Sequence, residues 1–202
     1  MKIVIFCCAF LLSFFQCAIH PVQAAEWRLP VGIAYISGLG DINDLHNDNL
    51  EAEGYTVSSR KFVWPLGITF QPYLQFDNSL GLGLGFGPCM FSLGGKSSFS
   101  NIPLGVDARY TLYPSGDTSP YGRVGIRYNI VSGDYVKSSS PSLFGAIGYE
   151  FRRNRNLGWG AEIAYDTSKI EFEKYYPNPT GYDVGKEKIK PYGITLSIFI
   201  NF

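Results

Sequence analysis

The chain has 202 residues, and its 17 Lys and Arg are balanced by 17 Asp and Glu, so the formal net charge is zero. That balance argues against a nucleic-acid binder, whose footprint is a basic excess. Charged residues make up 17%, below the ~25% usual for soluble domains, while 16% aromatics and 23 Gly exclude disorder, and the length allows one domain or at most two small ones.

Residues 1–24 read as a secretory signal peptide. Lys2 gives a short positive start, Ile3 to Phe15 is apolar apart from Ser13, and Val22-Gln23-Ala24 offers a cleavage site after Ala24. The apolar run is too short to span ~30 Å of hydrocarbon. Phe15-Gln16 before Cys17 does not fit a lipoprotein signal. Cleavage removes Cys7, Cys8 and Cys17 and leaves Cys89 alone, which excludes an intramolecular disulfide. Cys89 reads as a packing residue. Residues 25–202 are then the mature domain, and no run in them approaches the ~20 apolar residues of a spanning helix. Entry into a membrane therefore requires a closed β-barrel, because unpaired backbone groups are too costly in lipid.

Period-two alternation predicts eight strands. Residues 27–36 align Trp27, Leu29, Val31, Ile33 and Tyr35. Residues 62–76 align Phe62, Trp64, Leu66, Ile68, Phe70, Leu74 and Phe76. Residues 80–91 alternate Leu80, Leu82, Leu84 and Phe86 with four glycines, which are expected to pack closely against Tyr73, Tyr113 or Phe144. Residues 103–113 set Leu104, Val106, Ala108, Tyr110 and Leu112 against Asp107, Arg109 and Thr111. Residues 121–131 set Val124, Ile126, Tyr128 and Ile130 against Arg123, Arg127 and Asn129. Residues 143–152 set Leu143, Ile147, Tyr149 and Phe151 against Glu150 and Arg152. Residues 158–167 set Trp159, Ala161, Ile163 and Tyr165 against Glu162 and Asp166. The last segment sets Tyr192, Ile194, Leu196, Ile198, Ile200 and Phe202 against Thr195, Ser197 and Asn201. Connections after even-numbered strands are brief and rich in turn formers, while those at 37–61, 92–101, 132–141 and 168–189 are long. That asymmetry is the pattern of an outer-membrane barrel.

The polar faces separate a membrane barrel from a soluble one. They carry Arg28, Asp107, Arg109, Arg123, Arg127, Glu150, Arg152, Glu162 and Asp166, with essentially no Lys before Lys190; Lys137, Lys169, Lys174, Lys186 and Lys188 fall in the loops. Arg–carboxylate pairing without Lys suits a confined interior where bidentate geometry counts. Trp27, Trp64, Phe76, Tyr110, Tyr121, Tyr149, Phe151, Trp159, Tyr165 and Tyr192 lie near strand ends, where interfacial girdles belong.

On these features residues 27–202 resemble the small eight-stranded outer-membrane barrels of Gram-negative bacteria, the OmpX/Ail group, the OmpA membrane domain and OmpW. The resemblance implies an all-β, antiparallel, up-and-down transmembrane barrel in the outer membrane, amid lipid and lipopolysaccharide. It also implies a C-terminal strand, ending at Phe202, that the barrel-assembly machinery reads. A lumen of this size holds side chains or one small ligand, so the inward charges are expected to plug it, with a narrow channel for small solutes or hydrophobic compounds as the alternative. The expected function is a structural or surface-interaction role carried by the long loops, towards an extracellular protein or glycan. Asp41, Asp44 and Asp48 of the acidic first loop and Tyr175, Tyr176 and Tyr182 of the last are the candidate contacts. The Asp41…Asp48 spacing lacks the Gly and terminal Glu of a calcium loop, so no metal or cofactor is assigned. A lipid A-modifying enzyme is the least favoured reading. After signal removal it would rest on His46 alone, beside Asp44 and Asp48 and ahead of Ser58 and Ser59.

Overall fold

The computed structural model describes residues 25–57, 64–76, 79–91, 97–152 and 157–202. The expected cleavage site, Ser58 and Ser59 lie outside them. In chain order the elements are β1 (Glu26–Arg28), β2 (Pro30–Ile36), α1 (Leu39–Ala52), β3 (Leu66–Phe70), β4 (Tyr73–Gln75), β5 (Leu80–Phe91), β6 (Phe99–Thr111), β7 (Ser119–Gly133), β8 (Val136–Ser139), β9 (Ser142–Phe151), β10 (Gly158–Asp166), β11 (Ile170–Asn178), β12 (Gly181–Ile189) and β13 (Gly193–Asn201).

The barrel has eight antiparallel staves: β1 with β2, β3 with β4, then β5, β6, β7, β9, β10 and β13. It closes because β13 pairs with both β10 and β2, while β5 pairs with β6. The second stave breaks at Gln71-Pro72. Proline has no N–H for the ladder, so a continuous strand is interrupted there.

The barrel is inverted relative to a soluble one. Ile33, Ile68, Leu82, Val106, Val124, Ile147, Ile163 and Ile198 are exposed on its outside, while Thr69, Asp107, Arg109, Arg123, Glu150, Glu162 and Ser197 are buried within. Such an apolar wall is stable only against hydrocarbon. Exposed aromatics rim the wall at both ends, with Trp27, Tyr110, Trp159 and Phe202 at the short-turn end and Tyr35, Trp64, Tyr128 and Tyr165 at the loop end. Trp159 stacks on Phe151 with ring centroids 4.1 Å apart. Two aromatics expected in these rims are elsewhere. Tyr121 shares strand parity with Arg123 and is buried in the lumen, and Tyr192 is fully buried at the barrel mouth.

The long connections are not open loops. Residues 39–52 of the first form helix α1, and β8, β11 and β12 form a three-stranded sheet above the barrel. Hairpin β11–β12 pairs from Ile170↔Ile189 to Asn178↔Gly181. These elements form a cap that closes over the upper ends of β2, β5 and β6 around an apolar core of Ile36, Leu39, Ile42, Leu45, Met90, Phe99, Ile170, Phe172, Ile189 and Tyr192. The helix buries Leu39, Ile42, Leu45, His46 and Asn49. Their spacing of three and four residues is one helical face, and Asp41 in the first turn suits the positive end of the helix dipole.

Candidate functional site

The lumen is a column of ion pairs. Near the short-turn end Arg28 pairs with Glu26 at 2.7 Å. Above it Arg109 lies 3.0 Å from Glu150 and sits between two rings, 4.2 Å from the Tyr73 centroid and 3.4 Å from that of Tyr121. Both phenols also serve the acids: Tyr73 donates to Glu150 at 3.1 Å, and Tyr121 donates to Glu162 at 2.9 Å. At mid-height Arg123 grips Glu162 with two donors, Nε and Nη2, each at 2.6 Å, and reaches Asp107 at 3.2 Å. Higher still, Arg127 pairs with Asp166 at 3.2 Å while its guanidinium covers the Phe144 ring at 3.7 Å. Planar guanidinium groups alone can pair at the edge and stack on the face at once.

The glycine row of β5 makes room for this column. A Cβ on Gly83 would lie 2.8 Å from an Asp107 carboxylate oxygen. The close neighbour there is therefore an acid. Of the three aromatics expected against the row, Tyr73 lies near Gly81 but Tyr113 is exposed. Arg152, expected inside, is also exposed. It follows the end of β9 with φ of 53°, and this left-handed backbone turns its side chain out of the strand's alternation.

The mouth is spanned by Tyr192. From the base of β13 its hydroxyl donates to the Pro88 carbonyl at 3.2 Å and accepts from Asn101 at 2.7 Å, so it joins the eighth stave to the third and fourth. Gly193, with φ of 52°, supplies the kink that turns it inward.

In the cap, polar side chains finish what the strands leave open. β8 pairs with β11 from Ile170↔Ser139 to Phe172↔Val136. The Glu173 N–H then donates to the Tyr135 carbonyl at 2.7 Å. Beyond that point Asn49 takes over as a one-residue strand: its amide donates to the Glu173 carbonyl and its oxygen accepts from the Tyr175 N–H, both at 2.8 Å. Helix α1 is thereby stitched along the edge of the hairpin.

His46 is a further buried polar group of the helix. Its Nδ1 lies 2.6 Å from the Ser97 hydroxyl, and its ring packs edge-on to Phe99, Tyr135 and Phe172. Burial lowers its pKa from 6.5 to about 4, against an opposing pull from Asp134. A serine beside a histidine is the raw material of a nucleophile and base, but His46 and Ser97 are both buried, inside an aromatic box. Asp44 and Asp48, its sequence neighbours, lie on the exposed face of the helix with Asp41. Among the described residues no group of three His, Cys, Asp or Glu side chains is placed to hold a metal.

The candidate contact residues sit on the hairpin. Tyr175 stacks on Tyr182 with centroids 4.5 Å apart and meets Tyr135 edge-on. Burial, followed by its hydrogen bond to Glu173, pushes the Tyr175 phenol up to about 12. Tyr176 and Tyr182 are exposed. Lys137 pairs with Glu173, and Lys174 reaches Glu187 at 2.8 Å and Asp48 of the helix at 3.8 Å.

Sequence reasoning missed Asn49, Ser97, Asn101 and Tyr192. The first could have been found from the three-and-four spacing of Leu39, Ile42, Leu45 and Asn49, and the last from Pro191 and Gly193 on either side of it. Ser97 and Asn101 left no comparable signal, because their partners are 51 and 91 residues away.

No curated protein sequence matches the chain. Among solved structures its fold is similar to that of the outer membrane protein OprG from Pseudomonas aeruginosa, with a TM-score of 0.58 at 14% identity over 88% of this chain and 95% of that one. Neisserial surface protein A aligns at 15% identity over 89% of this chain and 98% of its own, with a TM-score of 0.48. The E. coli outer membrane protein W aligns at the same identity and coverage, with a TM-score of 0.47. The family described as outer membrane protein beta-barrel domain matches over residues 7–202. An inverted eight-stave barrel and a family match along nearly the whole sequence lead to one conclusion: the chain belongs to the outer membrane protein β-barrel domain family and resides in the outer membrane.

Proposed function

We propose that this protein is a surface-interaction barrel whose folded extracellular cap contacts an external protein or glycan. The observation that carries this reading is the division of labour along the barrel axis. The lumen is filled by buried ion pairs, Arg109, Arg123 and Arg127 being at most 4% exposed, whereas the cap packs on an apolar core and presents side chains outward. Tyrosines held by stacking lose little freedom on binding, which favours them as contact groups. Tyr175, Tyr176 and Tyr182, with Asp41, Asp44 and Asp48 on the exposed face of α1, are the proposed contact residues. A conducting lumen would need the Arg–carboxylate column to part, and an enzymatic role would need the cap to open over His46 and Ser97.

The test is adhesion of whole bacteria to epithelial cells and to immobilised glycans. Replacing residues 171–188 by a short turn is expected to abolish adhesion while the barrel keeps its heat-modifiable migration. The triple substitution Tyr175→Ser, Tyr176→Ser, Tyr182→Ser leaves the cap core intact and is expected to weaken adhesion as well. Adhesion untouched by both variants would sink the reading. Stable unitary currents in planar bilayers would favour the narrow channel instead.

A further inference from the structure

The alternation that puts Tyr165 against lipid runs on without a break past the membrane, and on the neighbouring strand, where Tyr192 turns inward, the exposed lysines resume beyond it. Beyond Tyr165 the outward side chains are Thr167, Lys169, Glu171 and Glu173; above Ile194 they are Lys190, Lys188 and Lys186. The hairpin register pairs Ile170 with Ile189 and Glu171 with Lys188, and the exposed Lys169 and Lys190 adjoin the first of these pairs in sequence. Lys186 and Lys188 are about two-thirds exposed, and both reach Glu171, at 2.9 and 3.7 Å. Lys137 joins the same face through Glu173.

The outcome is a stripe of Lys137, Lys169, Lys186, Lys188 and Lys190 against Glu171 and Glu173. Its excess of positive charge contrasts with a chain whose formal net charge is zero. The compensating acids Asp41, Asp44, Asp48 and Glu51 lie on the exposed side of α1. Glu171 does not cancel the stripe so much as arrange it, since one carboxylate holds two ammonium groups that remain open to solvent. Lys186, Lys188 and Lys190 are two residues apart, a spacing of roughly 7 Å along a strand.

We propose that this stripe binds the phosphate groups of a phosphorylated glycolipid in the outer leaflet, the lipid A of lipopolysaccharide. Two features select that occupant. The stripe is continuous with the lipid-facing wall, directly above its aromatic rim, where a headgroup of the surrounding leaflet lies. Its charge is opposite to that of a phosphorylated sugar, and each lysine near an anionic membrane surface adds attraction. The inference is independent of the contact role proposed for the tyrosines and rests on the outer-membrane location alone.

The experiment measures lipid retained by the full chain in detergent, by native mass spectrometry, after incubation with lipid A, dephosphorylated lipid A or phosphatidylcholine. The variant Lys169→Gln, Lys186→Gln, Lys188→Gln, Lys190→Gln is expected to retain about tenfold less lipid A than the unmodified chain. Arginine at the same four positions is expected to restore retention, which separates charge from misfolding. Lys174→Gln, on the opposite face of the hairpin, is expected to change nothing. Equal retention by the glutamine variant with a folded barrel would overturn the proposal, as would equal retention of dephosphorylated lipid A. Complete displacement of lipid A by millimolar inorganic phosphate would overturn it too, because the ligand would then be a free anion.

Discussion

Below the outer aromatic rim this molecule is greasy outside and charged inside; above it, the reverse holds. One continuous run shows the exchange. From Glu162 to Phe172 every second side chain is buried, yet in the barrel half these include Glu162, Asp166 and Ser168, with only the small Ala164 apolar, while in the cap half they are Ile170 and Phe172. On the other side of the same run Ile163 and Tyr165 give way to Lys169 and Glu171. The alternation never changes phase. What changes is the medium on the far side of the wall, hydrocarbon for the barrel and water for the cap. Strand geometry decides which residues share a face, and the surroundings decide which face must be polar.

The two interiors should therefore fail differently. The largest effect is expected from Arg123→Ala, which strips the cation from both Glu162 and Asp107 in a closed lumen. Leaving buried carboxylates unpaired costs about 5 kcal/mol, read as a lower urea midpoint for the whole barrel in lipid vesicles. Phe172→Ala removes the centre of the cap core and should cost about 4 kcal/mol, but locally: hydrogen exchange should quicken in α1 and the β11–β12 hairpin while the staves stay protected. Loss of barrel protection in that variant would show that the two regions are one cooperative unit.

Acid should separate them as well. The unfolded cap binds a proton on His46 at about 6.5, the folded cap only near 4, so between those values the unfolded state holds more protons. Cap stability is then full above pH 6.5 and falls as pH drops towards 4, by about 3 kcal/mol in all. Protease nicking of the hairpin should rise over that window in the unmodified protein and stay flat in His46→Gln. The smallest effect is expected for Asn49→Ala, which removes two hydrogen bonds to the hairpin edge and should cost about 1–2 kcal/mol of cap stability. A cap unchanged by that substitution would mean that apolar packing alone holds helix to hairpin.

The barrel was legible in the sequence because its two faces are chemically opposite for most of each strand. The eight staves come from alternation in segments such as Ile194 to Phe202, and the buried ion-pair residues Arg109, Arg123, Arg127, Glu150, Glu162 and Asp166 come from the same count. Legibility ended where the backbone leaves that rhythm. Arg152 has the right parity but a left-handed backbone, and Tyr192 has an outward parity but sits between Pro191 and a kinked Gly193. The cap was hidden for another reason. Its helix buries His46 and Asn49, which a polarity count assigns to water, and its exposed acids read as a solvated loop. Pairings such as His46 with Ser97 or Asn49 with Glu173 join residues far apart in the chain, and nothing local announces them.

Tyr192 has a mechanical consequence. A side chain rooted in one wall and hydrogen-bonded to the opposite one works as a tie-rod across the opening, fixing its width. Any sideways pull on the tip, whose hairpin leads straight into β13 through this residue, is shared at once with β5 and β6. Cutting the tie with Tyr192→Phe should leave the cylinder standing and let its crown sway.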